Sequence, residues 1–423
     1  MKTSKIGRIT LAITLIFLGI VLLLKNFIKI DIFNVLSIMW PCIIILFGLE
    51  IIITKLVYER KEIDVKTKID VISVIILSMV VFILAITSFV RTIYLDEIGS
   101  SDFKSFVKRV TRTNYKYSQD IEDTFTISSE GKNELKVDDY YGDVSIVKGE
   151  GNEVKVEAKI TYKYDDNKYG QKTVKDFLKV RENGDSIEIN TSDVKDYFNR
   201  LSSDVFIEKM EYRVTLPNNL LLDLDQKYGK TNLENIEKPI DVDSNYSNMT
   251  LKNITGKLDI ESGYSDISID SVNGDVEIED KYSEIDIKNV SGNLKADKKY
   301  GDMSLEKINN NLDIVSEYAN IDIKESNKSV YIKSKYGDIK YMVANPIQEK
   351  LEIYSQYGDT DISIPANQEG NFNIINEHGE IENQLGLKVE DKMNKQIVRQ
   401  TKGSGEVRIN INTKNENVRL NSN

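Results

Sequence analysis

From Tyr228 the chain repeats itself at a fixed period, and no other feature restricts its fold so tightly. Tyr228, Tyr246, Tyr264, Tyr282, Tyr300, Tyr318 and Tyr336 follow one another at every eighteenth position without a slip. Tyr357 and His378 continue the series at 21-residue steps, so two coils are expected to carry a three-residue insertion. An earlier copy of the phrase stands at Tyr141-Gly142-Asp143. With the tyrosine as position 1, apolar residues return at positions 4, 6, 9, 13 and 15; in the coil from Tyr264 these are Ile267, Ile269, Val272, Val276 and Ile278. Over the six coils from Tyr228 to Lys335, 28 of these 30 positions are apolar, with Thr231 and Ser326 the exceptions, which is dense enough to require one continuous core.

Alternation at 4/6 and again at 13/15 is the period-2 signature of strands with one buried face. Each unit therefore reads as strand, turn, strand, turn, in two nine-residue halves. One unit cannot bury its own apolar face, so equivalent strands must stack in parallel, ~4.8 Å apart. A left-handed hexapeptide helix would need apolar residues every six positions, and position 3 is polar throughout (Lys230, Asn248, Asp266, Glu284, Asp302, Asn320). The reading is an all-β, right-handed parallel β-solenoid, the hand following the usual sense of parallel crossovers. A calcium-binding β-roll also runs on nine-residue halves, but these turns carry one glycine each and replace the aspartate with Lys230 or Glu284. No metal and no cofactor are expected.

The first 92 residues contain three apolar runs, at about 9–24, 33–53 and 71–90, and predict an α-helical transmembrane region of three spans. Lys2, Lys5 and Arg8 precede the first run, and Lys55, Arg60, Lys61, Lys66 and Lys68 lie between the second and third. The positive-inside rule then puts the N-terminus in the cytoplasm and everything after the third span outside. Residues 93–128 read as a membrane-proximal helix (103–110) and linker. Residues 129–227 read as a first coil and a small α+β N-terminal cap, with a short helix near 174–180. Residues 228–423 hold the repeats and a C-terminal cap, closed by strands at 397–399 and 407–411. The part after Thr92 carries 45 basic and 61 acidic residues, an excess of acid that argues against nucleic acid as a partner.

Few residues suggest chemistry. Cys42, the one cysteine, lies in an apolar run, and His378, the one histidine, occupies a tyrosine position, where a ring replacing a ring is the plainer reading. No Gly-x-Ser-x-Gly elbow, phosphate loop or metal-ligand cluster is present. No catalytic residue is assigned, and the chain is read as a non-enzyme. The ladder Tyr228, Tyr246, Tyr264, Tyr282, Tyr300, Tyr318, Tyr336, Tyr357 and His378 has two readings. Parity with positions 13 and 15 favours an inward, structural corner; an outward strip suited to glycan or peptide chains is the alternative. Within the spans, Trp40-Pro41 reads as a kink near the interface and Glu50 as a carboxylate near the cytoplasmic end of the second span.

Two resemblances follow from these residues. Gly19-Ile20, Leu22-Leu23-Leu24, Asn26, Trp40-Pro41 and Gly48-Leu49 resemble the helical-hairpin module at the start of LiaF-type envelope-stress proteins, which implies a part in envelope-stress signalling. The strand Arg213-Val214-Thr215-Leu216-Pro217 leading to Leu222 and Leu224, with phrases such as Gly142–Ile146 and Gly274–Ile278, resembles the putative-adhesin, or toast-rack, repeat domain of bacterial envelope proteins, over roughly residues 130–411. The combined expectation is a multi-pass membrane protein with an extracytoplasmic solenoid that binds, senses or scaffolds. Its partners are the bilayer and cell-wall polymers or envelope proteins. A surface adhesin for host or matrix ligands is the second reading, and a polysaccharide-active enzyme the third.

Overall fold

The computed structural model describes residues 4–6, 10–17, 43–54, 67–69, 73–74, 77–79, 115–195, 197 and 205–423. The chain divides into two compact units, Met1–Asn114 and Tyr115–Asn423.

In the first unit, Ser4–Ile6 pairs in parallel with Thr67–Ile69. Residues 10–17 and 43–54 are helical, and Glu50 accepts hydrogen bonds from Thr10 N (3.0 Å) and Thr10 Oγ1 (2.5 Å). Among the described residues no helix is long and apolar enough to cross a membrane. The rest of the three expected spans, Trp40, Pro41, Cys42 and the expected helix at 103–110 lie outside the described residues.

The second unit is a stack of two-stranded coils. From 240 to 342 each strand pairs in parallel with its equivalent one coil further on: Ile267 with Ile285, Leu258 with Val276, Met303 with Ile321. Two parallel sheets result, one from each half-coil. Positions 4, 6, 9, 13 and 15 point inward and form one core along the stack. Positions 6 and 9 are three apart, so strict alternation cannot bury both. The backbone solves this at position 8, where Asn235, Asn253, Ser271, Asn289, Lys307 and Glu325 all adopt a left-handed conformation (φ 54–66°). Asparagine tolerates that region best among residues with a side chain. One turned residue per coil thus converts an odd spacing into a corner.

The coil at Glu134–Asp139 and Gly142–Gly149 stacks directly on Leu221–Glu234, so Tyr141-Gly142-Asp143 is a true first rung although a long excursion separates the two. That excursion is mostly β. Glu153–Tyr164 and Val205–Pro217 extend one sheet, and Lys179–Asn183 with Ser186–Asn190 extends the other. The helix expected near 174–180 is one 3-10 turn, Val174–Asp176, whose Val174, Phe177 and Leu178 cover the core end before the chain re-extends. Tyr117–Ser128, expected within a linker, is a 12-residue strand antiparallel to Glu153–Tyr164.

The C-terminal end departs from chain order. Arg408–Lys414 and Val418–Ser422 stack on Lys350–Ser355 and Thr360–Ile364. Gly370–Glu377 and Ile381–Asn383 then stack on that inserted layer. The last coil in the chain is therefore not the last in space. Lys395–Lys402, expected as a closing strand, is instead a hairpin arm antiparallel to Gly370–Glu377.

Candidate functional site: the tyrosine ladder and its groove

The tyrosines face outward. Tyr246, Tyr264, Tyr282, Tyr318 and Tyr357 are 42–50% exposed, while Tyr228, Tyr300 and Tyr336 are half-buried. This corrects the inward corner that parity favoured. Position 17 points in, positions 18 and 1 both point out as the chain rounds the corner, and position 2 points in again. Two successive outward residues reset the parity. From Tyr228 to Tyr357 the rings stack at centroid distances of 4.6–5.4 Å and interplanar angles of 2–14°. The pitch is that of the sheets themselves. Because each ring covers its neighbour's face, the strip presents ring edges and hydroxyls to solvent, and an internal rung has no free π face for a sugar to stack on.

His378 does not belong to this ladder. Register places Asn415 in the layer between it and Tyr357, and its Nε2 lies 2.9 Å from Asn394 Nδ2. A 21-residue step therefore does not by itself mark the next rung: Tyr336 and Tyr357 are also 21 apart and do stack.

Beneath the rings runs a buried polar column. Position 17 supplies Gln226, Ser244, Ser262, Asp280, Lys298, Ser316, Ser334 and Ser355; position 2 supplies Ser247, Ser265 and Ser283. The corner leaves backbone N–H groups without ladder partners, and the hydroxyls take them: Ser247 N donates to Ser265 Oγ (3.0 Å) and Ser265 N to Ser283 Oγ (2.9 Å). Where position 2 is glycine, the chain passes too close for a side chain. A Cβ on Gly337 (φ 115°) would sit 2.2 Å from the Ala319 carbonyl oxygen. Position 2 is accordingly serine where the hydroxyl joins the column (Ser247, Ser265, Ser283), glycine where the backbone crowds it (Gly229, Gly301, Gly337) and alanine once, at Ala319.

One rung of the column is charged. Lys298 Nζ donates to Asp280 Oδ2 at 2.8 Å with both side chains fully shielded, and it also donates to the Ser283 carbonyl. Ser283 N and Oγ donate to the Asp280 carboxylate (3.1 and 2.5 Å). Burial pulls the Lys298 ammonium below the usual lysine range, opposed by its Asp280 partner. Carboxyl groups also mark the two ends of the column. Asp139, held by Gln226 Nε2 (2.9 Å) and Thr191 Oγ1 (2.8 Å), is pushed up to about 7 by burial. Glu416, held by Ser355 (2.7 Å) and Thr360 (2.6 Å), is pushed up to about 7 for the same reason. Nothing in the sequence reading marked these four groups. The available signal was in-register: Asp280 and Lys298 replace serine at position 17 of consecutive coils.

Beside the ladder, positions 3 and 5 line an open groove of about 850 Å³ that spans the coils from Asn248 to Lys340. Asp266, Glu284, Asp286, Asp302, Asp322 and Asp338 face it against one lysine, Lys340. Asp286 and Asp322 each pair with a lysine just outside the lining (Lys288 and Lys324, both 3.1 Å). The field is therefore negative chiefly through the carboxylates at position 3, which suits neutral or amine-bearing chains better than polyanions. Among the described residues no group of three or more His, Cys, Asp or Glu side chains could hold a metal ion.

Solved structures similar to this chain include three bacterial proteins. A putative cell adhesion protein from Clostridium sporogenes is 12% identical over 72% of this chain and 100% of its own, with a TM-score of 0.20. A putative lipid binding protein from Parabacteroides distasonis is 12% identical over 71% and 96%, with a TM-score of 0.35. A putative adhesin from Bacteroides fragilis is 11% identical over 71% and 96%, with a TM-score of 0.29. No curated protein matches. The Toastrack DUF4097 family model matches residues 132–421, most of the chain, and the protein belongs to that family.

Proposed function

We propose that this chain is a non-enzymatic binding and scaffolding protein of the bacterial cell envelope, held in the membrane by its first unit and presenting its solenoid outside the cytoplasm. The observation that carries the binding role is the groove along positions 3 and 5, which repeats the same polar lining coil after coil. A site built by repetition suits an extended chain with its own repeat, such as a wall polymer or an unfolded protein segment, better than one small molecule.

Support for anchoring comes from the first unit, which is inside-out relative to the second. Ile13, Leu15, Ile16, Ile45 and Ile53 are 45–63% exposed, whereas Thr10, Thr14, Glu50 and Ser73 are buried. Apolar surface outside and hydrogen-bonded polar groups inside is the distribution a lipid solvent favours. The pairing of Ser4–Ile6 with Thr67–Ile69 joins two segments that loop charges assign to the same side of the membrane. The resemblance to the LiaF-type hairpin adds a role in envelope-stress signalling.

Topology is tested by impermeant maleimide labelling of intact cells in a Cys42→Ser background: Ser268→Cys should label and Lys66→Cys should not. The reverse pattern would end the anchoring reading. Binding is tested by presenting the full chain in nanodiscs to wall polymers, membrane extract and envelope proteins. Retention that Asp286→Lys/Asp322→Lys abolishes supports the groove, and retention on none of them leaves a purely mechanical role. Retention on host matrix alone would instead favour an adhesin.

A further inference from the structure

We propose that the tyrosine ladder is a self-association surface, on which two copies of the chain pack ladder against ladder, in parallel, about a two-fold axis running along the coil stack. This concerns the ladder and its two flanks; the acidic flank at position 3 is also the near edge of the groove, so the groove is tested apart from it through Asp286 and Asp322 at position 5.

The first ground is area. Five tyrosines are 42–50% exposed and three are half-buried, which at roughly 200 Å² per residue leaves on the order of 600 Å² of contiguous aromatic surface. That is at the upper end of what a monomer shows. With its charged flanks it approaches the ~800 Å² per partner of a standard interface. A second ladder has the same pitch, so every rung meets an equivalent rung.

The second ground is charge, and it fixes the orientation. Along one side of the ladder, at position 18, stand Lys281, Lys299 and Lys335; along the other, at position 3, stand Glu284, Asp302 and Asp338. Among the described residues none of the six belongs to an ion pair within the chain, although the Lys299 and Lys335 ammoniums lie 5.7 and 5.4 Å from the rings of Tyr300 and Tyr336. A two-fold axis along the stack exchanges left and right but keeps the order of coils. It therefore sets Lys281 against the partner's Glu284, Lys299 against the partner's Asp302 and Lys335 against the partner's Asp338, with each contact repeated by symmetry. Where position 18 is instead acidic, at Glu317, position 3 of that coil is uncharged Asn320. Only the first coil, with Lys227 and Lys230, opposes like charges, which centres the contact on the coils from Tyr282 to Tyr336. An antiparallel pair would set the lysine column against itself and the acidic column against itself, an arrangement that like-charge repulsion disfavours. The parallel sense is also the one open to two copies in one membrane, though the charge argument does not need it.

The test uses the full chain in nanodiscs or detergent, in a Cys42→Ser background. Single substitutions Tyr264→Cys, Tyr300→Cys and Tyr336→Cys should each form a disulfide with the same residue of a second copy, while Asp313→Cys on the flat of the coil should not. Self-linking at only one rung would mean an antiparallel pair and overturn the proposal, as would equal linking at Asp313→Cys. Light scattering or analytical ultracentrifugation supplies the second measurement. Lys281→Glu/Lys299→Glu/Lys335→Glu should weaken self-association at least tenfold. Mixing it with Glu284→Lys/Asp302→Lys/Asp338→Lys should restore pairs as heterodimers. Because all six side chains are exposed, a retained circular dichroism spectrum and melting curve control for folding. A chain that stays monomeric as wild type, or a mixture that fails to pair while both variants are folded, refutes the proposal.

Discussion

The coils between Tyr246 and Tyr336 and the layers beyond Lys350 use the same strand pattern, yet they are assembled differently. In the middle, each layer rests on the one just before it in the chain, and every contact closes a loop one coil long. At the C-terminal end, the segment 408–422 reaches back past the whole of 366–407 to take its place on 350–364, and 370–383 rests on it in turn. Loop-closure entropy grows only slowly with length, so the long crossing adds little beyond the short one. What it provides is a lock. A simple stack can fray from its last coil, whereas here the chain's final strands are held between two layers.

Removing residues 408–423 should break the difference between the two regions most severely. Without the inserted layer, 370–402 loses its main support, and limited proteolysis with mass spectrometry should find cleavage throughout 366–407 while 246–342 stays protected. If 370–383 simply dropped onto 350–364, the end would be an ordinary stack. Next in size is Lys298→Met in the middle. It leaves Asp280 buried without its partner and should cost about 3–5 kcal/mol by denaturant unfolding, whereas Asp280→Ser/Lys298→Ser should recover most of that. Gly337→Ala follows, at about 1–3 kcal/mol, because its Cβ has no room against the coil below.

The smallest effect is a pH dependence that belongs to the ends. Asp139 and Glu416 have folded-state pKa values raised to about 7, above those of the unfolded chain. Their protonated forms fit the fold, so their contribution is full below the unfolded-state carboxyl pKa and is lost as pH rises from there to about 7. Between the unfolded-state carboxyl pKa of about 4 and the folded value near 7, each group costs up to ~1.4 kcal/mol per pH unit, and the loss levels off above 7. Hydrogen exchange between pH 5 and pH 7 should therefore quicken around Asp139 and Glu416 and change least around Ile269 and Ile287, once the intrinsic rate is corrected. Equal loosening along the whole stack would erase the contrast.

How much of this was legible in the chain depends on whether the signal was local. Ile267, Ile269, Val272, Val276 and Ile278 announced a nine-residue half-coil because burial acts on each residue where it stands. The order of the last layers was not legible: Ile409, Ile411, Val418 and Leu420 have the spacing of any coil, and spacing does not say which coil lies beneath. His378 was misassigned for that reason. The facing of the ladder failed differently, since parity holds along a strand and is lost where Lys281 and Tyr282 both turn outward at a corner. Gly337 was visible as a glycine, but its need for a left-handed backbone could be seen only once Ala319 lay under it.

The Asp280–Lys298 rung has a consequence for how the repeat keeps count. Coils built to one pattern are interchangeable, and a strand that slid by a whole unit would meet nearly the same apolar residues in its new place. A slide of one full coil would set Lys298 beside Ser262, or Asp280 beside Ser316, and seal an uncompensated charge inside the stack. The pair thus works as an index mark on an otherwise uniform scale. It adds little net stability, yet it makes one alignment distinguishable from its neighbours. A chain with serine at both positions should remain folded but lose that mark, and doubled amide resonances for residues 240–342 would reveal the mixed alignments.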